Sequence, residues 1–246
     1  MPSVRRVVAL IVVCLVPAVV LVGRAGAAPP AVTSKKPAKS PDPALVAIED
    51  VAGLPRVLLI GDSISMGYTI PTRALLEGKA NVHRIPVNGG PTTRGLERID
   101  EWLGTSKWDV IHFNFGLHDI KHVDDAGGAV DATAGHRQVE LEAYRDNLQA
   151  LVKRLQRTGA RLIWCTTTPV PEGAKGRVPG DEVAYNAAAA EVMREAGIEI
   201  NDLHAFAMPR MAEIGKPADV HYTPQGSRIL ADEVARRIEA ALPRAK

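Results

Sequence analysis

Cysteine is scarce in this sequence of 246 residues, which contains only Cys14 and Cys165. Cys14 lies inside an apolar run near the amino terminus and lacks the small-residue pattern that precedes a lipid-modified cysteine. Cys165 follows the apolar residues 162–164, a setting that predicts a buried structural thiol rather than a nucleophile. So few cysteines exclude a disulfide framework, and the core therefore has to stabilise the fold by itself.

Charge of one sign and aromatic side chains are also in short supply. Basic residues total 30 and acidic residues 28, which gives a formal charge of +2, and only 4% of residues are aromatic. The first 27 residues hold three arginines and no acidic residue, so the rest of the chain has 27 basic and 28 acidic residues. A nearly neutral body with few aromatics excludes the basic surface of a nucleic-acid-binding protein.

The amino terminus has the organisation of an export signal. Arg5 and Arg6 precede an apolar run over residues 7–22, and small residues follow near Ala27. This order predicts a cleaved signal peptide over 1–27, or alternatively an uncleaved anchor. Residues 28–53 are rich in proline and lysine, which predicts a linker. We therefore expect a protein that is secreted, or associated with the membrane or cell envelope through its amino-terminal segment.

Beyond residue 53, short apolar runs alternate with amphipathic stretches, and no internal repeat interrupts them. This alternation predicts one α/β domain over residues 54–246, a three-layer α/β/α sandwich with a five-stranded parallel, flavodoxin-like sheet. Residues 120–136 lack a clear period and are expected to form an excursion over the active-site edge. The predicted strands are 57–60, 81–87, 108–115, 160–165 and 198–203. The predicted helices are 71–79, one that Thr92 or Thr93 caps, 138–157, 181–196 and 223–242.

The stretch 56–67 places a predicted strand directly before a small polar turn. Its branched apolar residues end at Gly61, and Asp62 and Ser63 follow. Open α/β sheets bind ligands at the carboxyl ends of their strands, so the Ser63 hydroxyl is expected at that edge. A helix that starts just after Ser63 would point its free N–H groups toward a developing oxyanion. Ser63 is the candidate nucleophile; alternatively, it only caps the helix.

A second informative stretch, residues 217–226, has Asp219 and His221 two positions apart before a predicted helix. A serine nucleophile needs a base within hydrogen-bond reach and a third group that orients the imidazole. His221 and Asp219 are the candidates for these roles if the fold brings them to Ser63. Alternatively, His221 is an ordinary histidine of a surface loop.

Two further loops at predicted strand ends contain hydrogen-bond donors. Residues 88–90 read Asn-Gly-Gly, and residues 116–119 read Gly-Leu-His-Asp. A glycine lets its backbone N–H approach a substrate oxygen closely, and a neutral His118 offers a ring N–H. Glycine-rich turns end strands in many α/β proteins, so neither loop is specific by itself.

The order of the four segments 61–63, 88–90, 116–119 and 219–221 resembles that of the conserved blocks of the SGNH or GDSL hydrolases. The similarity covers about residues 54–242. Within the family, the chain resembles the secreted members that are lysophospholipases, thioesterases or acetylesterase-like enzymes. It implies Ser63 as nucleophile, His221 as base and Asp219 as orienting acid. It also implies a site without metal or cofactor. The implied oxyanion hole comprises Ser63, Gly89 or Gly90, and His118.

Two positions depart from the pattern of that family. The third block usually carries an asparagine where this sequence has His118, and a histidine donates only in the right tautomer. The last block usually places its aspartate three residues before the histidine, where Ala218 stands. Asp219 would then orient His221 from a different geometry, or a backbone carbonyl would replace it.

The leading hypothesis from the sequence is a monomeric serine esterase. Its expected substrates are short acyl or acetyl groups on glycans, or lysophospholipid, and the few aromatic residues favour short acyl groups. One alternative is a non-catalytic carbohydrate-binding or scaffold module on the same fold. The other is a metal-dependent hydrolase that uses the cluster His118, Asp119, His122, Asp124 and Asp125.

Overall fold

The computed structural model describes residues 41–243. The predicted signal peptide or anchor over 1–27, and residues 28–40 of the predicted linker, lie outside the described residues. A short 3-10 helix, Pro43–Leu45, opens the described part of the chain, and Ala44 is buried there. No helix among residues 41–243 is long and apolar enough to cross a membrane.

Strands and helices alternate along the described chain. The strands are β1 (Arg56–Ile60), β2 (Asn81–Arg84), β3 (Val110–Phe113), β4 (His122–Val123), β5 (His136–Arg137), β6 (Arg161–Cys165), β7 (Glu199–Asn201), β8 (Gly215–Lys216) and β9 (Asp219–Tyr222). The α-helices are α1 (Ser63–Leu75), α2 (Thr92–Leu103), α3 (Leu141–Gln156), α4 (Asp181–Glu195), α5 (Leu203–Ala207), α6 (Met211–Ile214) and α7 (Pro224–Ala241).

The central sheet has five parallel strands in the order β2-β1-β3-β6-β7. Helices α1 and α7 pack on each other, and α2 and α4 both pack on α3. The predicted α/β/α sandwich with a five-stranded parallel sheet is therefore confirmed. The strand order reverses at β1, so the crevice at the carboxyl ends of β1 and β3 is the topological switch point, where open sheets bind ligands.

Burial on both faces of the sheet explains the apolar strand sequences. In β1, residues 57–60 are all buried, and so are all four residues of β3. A strand with helices on both sides gains from an apolar side chain at every position, which removes the alternation of a half-exposed strand. The continuous apolar run before Gly61 therefore fits the interior position of β1, between β2 and β3.

Helix α1 differs from the helix predicted over 71–79. It begins at Ser63, because the Asp62 side chain caps it by accepting a hydrogen bond from the Ile64 N–H. The helix then continues through Pro71. Ile64, Tyr68 and Thr72 form a buried stripe at four-residue spacing, and this packing outweighs the usual cost of an interior proline. Pro71, interpreted as a helix start, thus lies near the helix end.

Smaller differences concern the connections. The excursion over 120–136 contains the strand β4, which pairs with β5 in an antiparallel hairpin. The segment between β7 and α7 holds the short helices α5 and α6, a 3-10 helix between them (Met208–Arg210) and the hairpin β8–β9, none of which the sequence pattern predicted. Strands of two to four residues offer too few positions for a periodic signal.

Candidate active site

The candidate nucleophile lies at the junction of β1 and α1. Ser63 is the first residue of α1, so its backbone N–H has no acceptor within the helix. The turn before it is tightly packed, since a Cβ on Gly61 would lie 2.9 Å from the Ser65 Oγ. Asp62 is only 3% exposed and caps the helix. The serine therefore stands at the switch point on a turn that leaves no space for a side chain at Gly61.

Ser63, His221 and Asp219 come together in the fold. The Ser63 Oγ lies 2.8 Å from the His221 Nε2, and the His221 Nδ1 lies 2.6 Å from the Asp219 Oδ1. The same carboxylate oxygen accepts the His221 backbone N–H at 3.1 Å. With Nδ1 protonated toward Asp219, Nε2 is free to accept the serine proton. The aspartate two residues before the histidine thus reaches the imidazole directly.

The Asp219 carboxyl favours its charged form. Partial burial raises its pKa, but the hydrogen bonds from the His221 ring and backbone outweigh this, and the pKa lies below its usual value. The side chains of His221 and Asp219 remain 42% and 43% exposed. A charged carboxylate against the imidazole stabilises the imidazolium that forms when His221 takes a proton.

The glycines of the second loop are not equivalent. The Gly89 N–H donates to the Gly61 carbonyl at 2.9 Å, and a Cβ on Gly89 would lie 2.9 Å from that oxygen. Gly89 therefore joins the second loop to the nucleophile turn, and its N–H is already used. The Gly90 N–H donates to the Asn88 side chain at 3.0 Å, an acceptor that can rotate away. Gly90 is thus the better-placed candidate donor.

His118, in the third loop, is partly exposed. Burial lowers its pKa, the Asp62 carboxylate opposes this effect, and the cations Arg177, Lys121 and Arg94 reinforce it. A lowered pKa keeps the ring neutral near pH 7, with one N–H available as a donor.

The next residue, Asp119, has a structural role. Its Oδ1 accepts the Thr92 backbone N–H at 2.9 Å and the Thr92 hydroxyl at 2.5 Å, so it caps α2 from the third loop. Asp119 is fully buried, and its Oδ2 has no hydrogen-bond partner among the described residues. Burial raises its pKa to about 6, although the bonds from Thr92 act in the opposite direction.

The proposed metal cluster does not converge. Asp119 is bound to Thr92, and Asp124 accepts the N–H groups of Ala126 and Gly128 within its own turn. Over residues 41–243, no group of three or more His, Cys, Asp or Glu side chains is arranged to hold a metal ion. The described residues therefore give no support to the alternative of a metal-dependent hydrolase built on His118, Asp119, His122, Asp124 and Asp125.

Arg84 at the end of β2 was missed by the sequence analysis. It is 8% exposed, and its guanidinium donates to the carbonyls of Gly61 and Asp62 at 2.8 and 2.9 Å. One feature of the sequence could have indicated it: a charged residue within a predicted strand whose other residues are mostly buried. Asn114, after β3, was also missed; it donates to the Cys165 carbonyl at 2.8 Å. Both residues contact backbone atoms, which no sequence motif encodes.

An open groove of about 850 Å³ lies beside Ser63 and His221. Most of its wall is apolar, and Asp42 and Lys216 supply charges. Its other contributors include Pro43, Ala44, Met66, Ile70 and Pro224. The second and third loops are not part of its lining. The groove therefore extends from the side of Ser63 on which His221 lies, which we call the base side. It does not extend from the side of the second and third loops, which carry candidate oxyanion donors.

A parallel α/β/α sandwich with a hydrogen-bonded serine, histidine and aspartate at its switch point defines a serine-hydrolase type of site. The family described as "GDSL-like Lipase/Acylhydrolase family" matches residues 59–229, which is more than half of the chain and includes all three residues. The chain belongs to this family of ester hydrolases.

Solved structures share this fold at low sequence identity. A lipase/acylhydrolase from Enterococcus faecalis has a TM-score of 0.65 and 18% identity, covering 78% of this chain and 100% of its own. An acetylxylan esterase from Geobacillus stearothermophilus has a TM-score of 0.62 and 19% identity, covering 75% and 94%. Another acetyl xylan esterase has a TM-score of 0.61 and 16% identity, covering 74% and 99%. A comparison with curated proteins finds no match.

Proposed function

We propose that the protein is an extracytoplasmic serine esterase that hydrolyses carboxylic esters through an acyl-enzyme. The observation that carries this proposal is the contact chain from Ser63 through His221 to Asp219 at the carboxyl end of β1. Membership of the acylhydrolase family supports the reaction class. Export rests on the amino-terminal pattern of Arg5, Arg6 and the apolar run.

The mechanism starts with proton transfer. His221 Nε2 takes the hydroxyl proton while the Ser63 Oγ forms a bond to the ester carbonyl carbon. The carbonyl oxygen becomes an oxyanion, which the N–H groups of Ser63 and Gly90 and the neutral ring of His118 stabilise. The bond to the alcohol oxygen then breaks, and the imidazolium protonates that oxygen. Water repeats these steps on the acyl-enzyme and releases the acid.

The groove supports a substrate with a larger alcohol portion. His221 must protonate the departing oxygen, so the alcohol lies on the side of the imidazole, where the groove begins. The acyl group points elsewhere, which fits a short acyl chain on a bulky alcohol. Acetylated glycans have this form, and the structural neighbours that are acetyl xylan esterases act on such an ester. Lysophospholipid, with a long acyl chain, is the competing substrate.

The first experiment tests the nucleophile with the purified full chain. We expect hydrolysis of nitrophenyl acetate and labelling of Ser63 by a fluorophosphonate, located by peptide mass analysis. Ser63→Ala should remove both, and EDTA should change neither. Turnover that survives Ser63→Ala would refute the mechanism. Absence of labelling and turnover on every ester would instead favour the non-catalytic binding module.

A second experiment separates the substrate classes. Rates on nitrophenyl acetate and nitrophenyl decanoate, followed by acetylated xylo-oligosaccharide and lysophosphatidylcholine, would be compared at equal enzyme concentration. We expect the acetyl esters to be preferred. A preference for decanoate together with release of fatty acid from the lysolipid would overturn the assignment to short acyl groups while leaving the serine mechanism intact.

A further inference from the structure

Arg84 is a buried cation whose hydrogen-bond partners in the described chain are four carbonyls and one hydroxyl. Its Nη1 donates to the carbonyls of Ile85 and Val87 at 2.9 and 2.7 Å. Its Nη2 lies 2.8 to 2.9 Å from the carbonyls of Gly61 and Asp62 and from the Ser65 Oγ. Burying a guanidinium costs free energy that such bonds have to offset. Burial lowers its pKa to about 10, so Arg84 stays charged near neutral pH.

The Asp62 carbonyl belongs to the same peptide unit as the Ser63 N–H, the first candidate oxyanion donor. Three donors converge on that carbonyl oxygen: Arg84 at 2.9 Å, the Ser65 hydroxyl at 2.7 Å and the Met66 N–H at 3.1 Å. Hydrogen bonds to a carbonyl draw electron density from its amide N–H and make it a stronger donor. The charged bond from Arg84 also prevents this peptide from rotating.

Arg84 also sets the distance between the first and second loops. The Gly61 carbonyl accepts both the Arg84 Nη2 at 2.8 Å and the Gly89 N–H at 2.9 Å. Through Nη1, Arg84 holds the Val87 carbonyl, three residues before Gly90. One side chain thus connects the peptide of Ser63 to the loop that carries the second candidate donor.

We propose that Arg84 is a positioning residue that aligns and polarises the oxyanion hole of this esterase. The inference rests on the proposed function, because it assigns Arg84 an effect on the turnover of Ser63. Arg84 is buried, and among the described residues it makes no hydrogen bond to the Ser63 hydroxyl, so its effect is exerted on the donors. Stabilisation of the transition state should suffer when it is replaced, while substrate binding should change little.

The test compares Arg84→Met, Arg84→Lys and Ser65→Ala with wild type. Competent sites are counted by fluorophosphonate labelling run to completion, and kcat and KM for nitrophenyl acetate are expressed per labelled site. We expect Arg84→Met to lower kcat by about 10-fold to 100-fold with KM nearly unchanged. Arg84→Lys should restore part of kcat, and Ser65→Ala should lower it by about twofold to fivefold.

Asn81→Ala is the matched control. Asn81 is a buried polar residue at the other end of β2, and its side chain bonds the backbone of Val51 and Leu54. Its replacement should lower the melting temperature without changing kcat per labelled site. A merely structural Arg84 would behave in the same way.

A kcat of Arg84→Met within about twofold of wild type per labelled site would overturn the proposal. If that variant does not fold, wild-type kcat in both Arg84→Lys and Ser65→Ala would overturn it. Failure of the proposed function gives a different result, since wild-type protein would then resist labelling or Ser63→Ala would remain active.

Discussion

Two regions meet at the Ser63 hydroxyl, and they are built in different ways. The turn between β1 and α1 is buried, with Asp62 3% and Ser65 2% exposed, and a cation from the neighbouring strand holds it. The β9 strand carries the acid and base on a short hairpin, where both side chains are more than two-fifths exposed. Hydrogen-bond donors that stabilise an oxyanion need fixed alignment in a site that excludes water. The base, in contrast, must exchange protons with the alcohol and with water.

The difference separates two kinds of contribution to catalysis. On the nucleophile side, hydrogen bonds lie in a low-dielectric interior, so the loss of one is not replaced by solvent. On the base side, water can solvate Asp219 and His221 when a partner is removed. We therefore expect the loss of kcat after a substitution at His221 or Asp219 to depend on whether water can replace the side chain that was removed.

The largest effect should come from His221→Ala, because solvent cannot act as a positioned base. We expect kcat to fall by about 10⁴-fold to 10⁶-fold. The double variant with Ser63→Ala should be no slower than either single variant, since the two residues act as one unit. Steady-state rates on nitrophenyl acetate measure this. Losses that multiply in the double variant would show that the two residues act independently.

Asp219→Asn tests how far solvent substitutes for the acid. The amide cannot stabilise the imidazolium and can select the wrong His221 tautomer, so kcat should fall by about 10³-fold to 10⁴-fold. Because the pair is over two-fifths exposed, the loss should stay below that of His221→Ala. Equal losses in parallel assays of both variants would mean that solvent gives no compensation.

His118→Ala probes the donor side without changing the buried turn. Removal of one oxyanion donor lowers kcat by about 100-fold to 1,000-fold. We expect a loss in this range, with His118→Asn recovering part of the rate because an amide N–H replaces the ring N–H. KM should change little in either variant. A wild-type kcat for His118→Ala would remove this residue from the oxyanion hole and leave Ser63 and Gly90.

The sequence predicted the elements whose signals are local. The apolar run of β1, its stop at Gly61 and the stripe of α3 each depend on neighbouring residues, and the blocks around Ser63 and His221 follow a known order. The extent of α1 was not predictable, because Pro71 signals a boundary and only tertiary packing of Tyr68 overrides it. Two partners of Arg84 that hold the Ser63 turn are backbone carbonyls 22 and 23 residues away, and every sequence has carbonyls.

Asp119→Asn tests how the buried Asp119, which follows His118 in the third loop, makes the free energy of unfolding depend on pH. The native pKa of about 6 lies above the usual 3.8, so the fold favours the protonated form. This contribution is complete below about pH 4 and is lost as pH rises through 6. Relative to wild type, Asp119→Asn should therefore gain about 2 kcal/mol of unfolding free energy between pH 4 and 7. Urea unfolding at both pH values measures the gain; parallel pH dependence in the two proteins would contradict it.

The smallest effect should come from Ala218→Gly on the base side. Ala218 has a positive φ of 52°, a conformation that is strained for any residue with a Cβ. Glycine removes this strain but adds freedom to the unfolded chain, so we expect a net gain of at most about 1 kcal/mol in unfolding free energy. Urea unfolding at pH 7 measures the gain. The turn keeps its shape, so Asp219 should still meet His221 and kcat should stay within about twofold of wild type. A large fall in kcat would mean that the strained alanine itself holds the acid in place, and the exposed side of the site would then depend on rigid alignment as much as the buried side does.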